Sequence, residues 1–259
     1  MRKLMILSFA LCFVLGSTGL SYGYQQDIPV KWSQPPDLLW TALNIQSTWP
    51  SPIVADDWKC PDGLPVTDIH WWGSYIGWTG IEPPPGLLGF WFGFYTDVPA
   101  GVDQQVPWSH PGEKLRDFVN YFTNGDLFEN HFAMVYDQSG QQIIESKFQY
   151  TKILPEALWF PQEKDTIYWL AIAAIMQGNS PFLWGWETSD PSIHNLDDAV
   201  FGIPLPTGGG LFWQKLQYPN GQSIDMAFEL TTVPIPGAVW LLSSGLIGII
   251  GIGRRFRKS

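Results

Sequence analysis

The chain has 259 residues, with 24 acidic against 14 basic residues and a formal net charge of −10. All acidic residues and 8 of the basic ones lie between positions 24 and 232, so this body carries a net charge of 8 − 24 = −16. Such a charge argues against nucleic acid or anionic lipid as a partner and is compatible with cations and neutral sugars.

The first 23 residues have the pattern of a signal peptide. Two basic residues precede an apolar run over residues 4–15, and small and polar residues follow up to Gly23. A basic start, a short apolar stretch and a small-x-small end are typical of segments that are removed on export. We predict cleavage after Gly23; an N-terminal helix is the alternative.

The body, residues 24–232, is predicted to be one all-β domain. Short runs of β-branched and aromatic residues alternate with turns that contain Gly and Pro, and no helical periodicity persists. The regular spacing of these runs favours a β-sandwich. We predict strands at Val66–Trp72, Gly89–Tyr95, His131–Tyr136, Gln142–Phe148, Thr166–Ile175, Leu211–Gln217 and Ile224–Leu230.

Two of these strand predictions depend on local detail. The sequence DQSG at 137–140 separates two alternating runs and predicts a hairpin, with Gly140 at a position that needs positive φ. The run TIYWLAIAAIM at 166–176 is apolar on both faces, as in a central strand that is covered on both sides. Its three alanines also favour a short buried helix, which is the alternative.

Catalytic motifs are missing from the sequence: it has no GxSxG elbow, no phosphate-binding P-loop and no His pair at zinc spacing. Cys60, the one cysteine of the body, is predicted to be a buried thiol rather than a nucleophile, and it leaves the body without an intramolecular disulfide. We therefore predict a protein that is not an enzyme, with no assigned metal ligands.

Carboxylates in predicted loops are the best candidate ligands for a cation. Loop carboxylates suit a structural Ca²⁺ ion, and hydrogen bonds from each Asp to its own turn are the alternative. Two such groups about 5 to 10 Å apart would also serve a glycan hydrolase. The residues concerned are Asp56, Asp57, Asp97, Asp103, Glu187, Asp190, Asp197 and Asp198.

Tryptophans near loops or strand ends provide a hypothesis for binding, because an exposed indole can stack on a sugar ring. The candidates are Trp72, Trp184 and Trp186. Alternation places Trp71 and Trp72 on opposite faces of their strand, so at least one of them is expected to pack in the core. A lectin-like domain for matrix polysaccharide is therefore the alternative to a structural or adhesive surface protein, which is the function we expect.

The C-terminal residues 233–259 form a segment of a different kind. Residues 237–253 contain no charge, and their length of 17 is the lower limit for a membrane-spanning helix. The basic residues that follow would hold the C-terminus in the cytoplasm. Prolines before the apolar run favour an extended backbone there. The short motif is Val233, Pro234, Ile235 and Pro236, and the basic cluster is Arg254, Arg255, Arg257 and Lys258.

Together these C-terminal features resemble the PEP-CTERM class of bacterial sorting signals, in a VPxP variant with Ile235 where the commonest form has Glu. The resemblance implies that an exosortase, a membrane-embedded transpeptidase-like enzyme, recognises Val233 to Pro236. It also implies removal of the tail as the protein reaches the cell surface or extracellular matrix. A permanent single-pass anchor is the alternative.

Most of the body resembles an uncharacterised family of secreted bacterial domains that often carry such tails. The resemblance implies a jelly-roll sandwich and an extracellular destination, and it implies no reaction. It rests on the stretches KWSQPPD (31–37), VADDWKC (54–60), PVTDIHWWGSY (65–75), GFWFGFYTDVPAGVD (89–103), SHPGE (109–113), IYWLAIAA (167–174), GWETS (185–189), DDAVF (197–201) and SIDMAFELT (223–231).

Overall fold

The computed structural model describes residues 29–194, 196–205, 210–218 and 220–233, which form a β-sandwich of two antiparallel sheets. The predicted all-β class is confirmed. Two three-residue 3-10 turns, Phe122–Asn124 and Glu156–Leu158, each connect a strand of one sheet to the next strand of the chain in the other sheet. The strands are β1 (Val30–Gln34), β2 (Asn44–Gln46), β3 (Ile53–Lys59), β4 (Asp68–Tyr75), β5 (Leu87–Val98), β6 (His110–Tyr121), β7 (Leu127–Tyr136), β8 (Ile143–Ile153), β9 (Ile167–Met176), β10 (Trp184–Glu187), β11 (Val200–Pro204), β12 (Leu211–Lys215) and β13 (Phe228–Thr231).

The first sheet, of seven strands, is built around β4. Strand β8 pairs with β4 along residues 68–74, and β7 pairs with β8. Two short strands pair with successive halves of β4: β13 with residues 68–71 and β10 with residues 73–75. Strands β1 and β2 extend the sheet beyond β13 and β10 respectively.

The second sheet has the order β12-β11-β3-β9-β5-β6. Strand β9 lies in the interior of this sheet, between β3 and β5, and seven consecutive residues, Tyr168–Ala174, are buried. The prediction of a two-sided central strand over 166–175 is thus confirmed, and the helical alternative is wrong. Both faces of this strand are covered by other parts of the protein, so neither face carries polar residues. The run therefore lacks the alternation of apolar and polar residues.

The core between the sheets is mainly aromatic. Trp71 of β4 meets Phe90 and Phe92 of β5 edge to face, with ring centroids 4.9 and 5.2 Å apart. Alternation explains this contact, because even-numbered residues of β5 point toward the first sheet. Burial of each such side chain contributes about 2 to 3 kcal/mol to the free energy of unfolding.

All seven predicted strands correspond to observed strands, with ends that differ by up to five residues. The hairpin at 137–140 is confirmed, and Gly140 has φ of 72°. Six strands were not predicted: β1, β2, β3, β6, β10 and β11.

Several predictions concern residues outside the described part of the chain: the signal peptide, Pro234 to Pro236, the apolar segment 237–253 and the basic cluster after it. Within the described ranges, no helix has the length and hydropathy of a membrane span.

Candidate functional site

A second apolar cluster covers the outer face of the six-stranded sheet, opposite the sandwich core. Odd-numbered residues of β3, β5 and β9 point to this face, and large rings lie beside small side chains on it. The cluster therefore buries a sheet face that would otherwise be exposed to water. Its members are Ile53, Ala55, Trp91, Tyr95, Trp169, Ala171, Ala173, Val200 and Trp213.

Glycines allow the rings to lie flat along the sheet. A Cβ atom at Gly93 would come within 2.4 Å of the Trp91 ring and 2.8 Å of the Tyr95 ring. Likewise, a Cβ atom at Gly202 would lie 2.8 Å from the ring of Trp213, its cross-strand neighbour. Glycine is required at both places because the indole rings occupy the space of the missing side chain.

Trp49 adds an exposed ring above this floor. Its backbone N–H donates to the carbonyl of Ala174 at 2.9 Å, which ties the loop between β2 and β3 to the end of β9. Its indole stacks on that of Trp91, with ring centroids 4.6 Å apart and planes 23° apart. Trp49 is 40% exposed whereas Trp91 is 3% exposed, so Trp49 is the ring that solvent or a ligand reaches.

Between these rings and the loops around them lies an open groove with a volume of about 660 Å³. This volume is within the range of small-molecule sites in proteins. Its floor is apolar and aromatic, and polar groups lie along its sides. The residues that line it include Trp49, Trp91, Tyr95, Phe212 and Trp213, with Asp103, Gln105, His110 and Lys114 as the polar members.

Hydrogen bonds hold the floor in place. The Trp91 indole N–H donates to Asp117 at 3.2 Å, and Lys114 donates to the same carboxylate oxygen at 3.0 Å. Burial, together with the negative charge of Asp117, raises the pKa of Tyr95, so its hydroxyl stays protonated and can donate a hydrogen bond.

The tryptophans predicted to stack on sugars are elsewhere. Trp184 and Trp186 are fully buried in the core between the sheets, so neither ring offers a free face to a ligand, and this prediction is corrected. Both lie on one face of β10 because they are two residues apart. Trp72 is 6% exposed on the outer face of the first sheet, where its ring meets Phe132 at 5.8 Å. Trp71 packs in the core, as the alternation predicts.

The expectation that the acidic residues lie in loops also needs correction. Asp56 and Asp57 are on β3 and Glu187 is on β10, and all three are fully buried. Burial raises the pKa of each, and for Glu187 the result is a pKa of about 7 despite the attraction of Lys147. Asp97 is on β5, where it accepts a hydrogen bond from the Trp169 indole at 2.9 Å.

The remaining candidates divide between turns and one cluster. Asp190 accepts hydrogen bonds from Ser192 of its own turn. Such bonding within a turn is the alternative to calcium binding that the sequence leaves open. Asp198 lies beside His194 and Asp225, a group of described residues able to hold a metal ion. Cys60 is buried, as predicted.

Sequence reasoning missed the groove because its rings come from a loop and from strands far apart in the chain. One signal was available in β5: GFWFGFY has aromatic residues at odd as well as even positions. Because alternate residues point to opposite faces, this pattern predicts cover on both faces of the strand.

Comparison with known proteins gives a family match. A family described as a domain of unknown function, DUF7901, matches residues 30–231, which span every strand of the sandwich. No curated protein and no solved structure matches the chain.

Proposed function

The chain belongs to the DUF7901 family, whose description assigns no activity, and we propose that it is an exported surface domain that binds carbohydrate in the groove on its outer sheet face. The observation that carries this proposal is the exposed Trp49 ring, held flat on Trp91 at the edge of a groove of about 660 Å³.

The composition of the groove supports sugar as the ligand. Sugar rings present an apolar face of C–H groups and an equatorial belt of hydroxyls. Stacked indoles suit the apolar face. Hydrogen bonds with the hydroxyls can be made by the polar members of the groove, Asp103, Gln105, His110 and Lys114. Since the body carries a net charge of 8 − 24 = −16, a neutral glycan is favoured over an anionic one.

We propose binding rather than hydrolysis. Among the described residues that line the groove, Asp103 is the one carboxylate. Glycoside hydrolysis ordinarily requires two carboxyl groups on either side of the scissile bond. The buried Asp56 and Asp57 are 0% exposed, which argues against their reaching a polysaccharide.

The sequence supports surface delivery by an exosortase-type system, with Val233 to Pro236 as the recognised motif and the cell surface or extracellular matrix as the destination. Strand β13 ends at Thr231, and Val233 is 40% exposed, so the proposed motif begins where the sandwich ends. Intact mass spectrometry of the protein from its native envelope and medium tests this proposal. Loss of the tail in the wild type and its retention in a Pro234→Ala, Pro236→Ala variant would support it; a tail retained in both would contradict it.

We further propose that the sandwich is a jelly roll. The antiparallel orders β1-β13-β4-β8 and β3-β9-β5-β6, each of four strands, support this topology. The strands outside these two sets of four extend the sheets, and among them β11 and β12 bring Trp213 to the groove.

Glycan binding is tested by an array of neutral and acidic oligosaccharides, with the wild type and a Trp49→Ala variant side by side. We expect neutral glycans to bind the wild type and to lose most of their signal with the variant. Equal signals for the two proteins, or signals confined to acidic glycans, would contradict the proposal.

A further inference from the structure

Three segments of the chain bring metal-ligand side chains together away from the groove lining. His194 follows β10, Asp198 precedes β11, and Asp225 precedes β13. One ligand atom from each lies within 4.8 Å of the others. The Nδ1 atom of His194 is 2.9 Å from a carboxylate oxygen of Asp225.

Ser223 lies at the centre of this group. Its hydroxyl is 2.9 Å from Nδ1 of His194 and also contacts Asp198. A Ser-His-Asp catalytic triad uses the two different ring nitrogens of its histidine for the serine and the aspartate. Here Ser223 and Asp225 both meet Nδ1, so the geometry is not that of a proton relay.

The charge around the group is strongly negative. Asp225 raises the pKa of both Asp56 and Asp57 by electrostatic repulsion, and Asp197 adds to the effect on Asp57. Among the described residues, Lys215 is the lysine that forms an ion pair with Asp198. A cation bound among these carboxylates would relieve their mutual repulsion.

Asp57 gives an independent indication of a ligand. Its side chain is 0% exposed, and neither carboxylate oxygen has a hydrogen bond of good geometry, although the backbone N–H of Asp197 approaches it. It lies on β3, two residues beyond Ala55, which pairs with Val200 of β11, and the charges of Asp197 and Asp225 act on it. A buried carboxylate with incomplete hydrogen bonding is costly unless it is protonated or a positive charge is close to it.

We propose that His194, Asp198 and Asp225 bind one divalent transition-metal ion. An imidazole combined with carboxylates suits Zn²⁺ or Mn²⁺ better than Ca²⁺, which prefers oxygen ligands throughout. This differs from the all-oxygen calcium site that the sequence indicates.

A structural role follows from the position of the site. The ion would join the loop after β10 to the segments before β11 and β13. The described body has one cysteine, Cys60, and no disulfide. A metal ion bound only in the folded state would supply the cross-link that exported domains commonly obtain from disulfides.

The test is direct titration of EDTA-treated protein with Zn²⁺, Mn²⁺ and Ca²⁺ by calorimetry, together with the melting temperature. The variant is His194→Ala, because this side chain is 46% exposed and its removal leaves the core intact. The matched control is His131→Ala, another exposed histidine. We expect one Zn²⁺ or Mn²⁺ ion per chain in the wild type and in the control, and at least about tenfold weaker binding in His194→Ala.

At a free ion concentration of 100 times Kd, we expect the melting temperature of the wild type to rise by about 5 to 10 °C. The rise should be absent or much smaller in His194→Ala. The proposal would be overturned if the wild type showed no saturable binding, if His194→Ala bound the ion as tightly as His131→Ala, or if Ca²⁺ alone bound. Metal binding is measured independently of glycan binding, so the absence of a metal site would leave the proposed glycan-binding function unaffected.

Discussion

Trp49 lies on Trp91 with ring centroids 4.6 Å apart, so that one face of the Trp49 indole is covered by the sheet and the other faces the groove. The stack fixes the exposed ring before any ligand arrives. Binding a sugar to a ring that is already ordered costs less conformational entropy than ordering a mobile side chain.

Replacing Trp49 by Ala should therefore remove the largest exposed contact of the groove. We expect glycan affinity to fall by about tenfold or more, as for a central aromatic residue of an interface. The free energy of unfolding should change little beyond the loss of the stack, about 0.5 to 1.5 kcal/mol. Trp40→Ala is the matched control, because Trp40 is 50% exposed and does not line the groove. Equal losses of affinity in both variants would argue against a specific site.

Gly93→Ala tests whether the floor requires a missing side chain. The new Cβ atom would come within 2.4 Å of the Trp91 ring, so the ring must move. We expect a loss of about 1 to 3 kcal/mol in urea unfolding and a changed near-ultraviolet circular dichroism spectrum. Gly178→Ala is the control, since its Cβ atom would meet nothing within 4 Å. A stable Gly93→Ala protein with an unchanged spectrum would contradict this account of the floor.

Trp184→Ala should separate stability from ligand binding. Because the side chain is 0% exposed in the core, we expect the variant to lose about 3 to 5 kcal/mol of stability. The fraction that remains folded should bind glycan with wild-type affinity, measured at a temperature where the variant is folded. Weakened affinity in folded Trp184→Ala would indicate that the core residue acts on the site.

Stability should fall as the pH rises from about 4.5 to 7 in metal-free protein. The pKa of Glu187 is raised to about 7 in the folded state from an ordinary value of 4.5, so the folded state binds its proton more tightly than the unfolded state. The resulting stabilisation is present below the unfolded pKa and is lost as the pH passes through the folded pKa, amounting to at most about 3 kcal/mol.

Glu187→Gln should flatten this pH dependence, because it removes the titrating group while Lys147 keeps its contact with Glu145 at 2.9 Å. Melting temperatures between pH 4.5 and 7.5 measure the effect, with the exposed Glu82→Gln as the control. An unaltered slope in Glu187→Gln would place the pH dependence in other groups, such as Glu129, whose pKa burial also raises.

Short runs of β-branched and aromatic residues bounded by turn residues were sufficient to predict the strands that carry most of the core, including β5 and β9. This pattern failed for β3, where two adjacent aspartates resemble a loop although both are buried, and for the edge strand β6, whose exposed face is charged. The carboxylates are buried because residues remote in sequence pack around them. For example, the backbone N–H of Met226 donates a hydrogen bond to Asp56.

The groove was harder to predict from the sequence than the strands. Its aromatic residues, Trp49, Trp91 and Trp213, are contributed by a loop, β5 and β12, and only the sheet register brings them together. Trp184 and Trp186 were expected to be exposed because the sequence places them near loops or strand ends. They lie on β10, where a spacing of two residues puts both on one face, and both point into the core.

We propose that the groove at Trp49 binds a neutral glycan. Calorimetric titration of the exported protein with the best neutral oligosaccharide from the array, compared with Trp49→Ala and Trp40→Ala, tests it most directly. We predict saturable binding with one site per chain, unchanged in Trp40→Ala and about tenfold or more weaker in Trp49→Ala. Binding of equal strength in all three proteins, or none in the wild type, would contradict the claim.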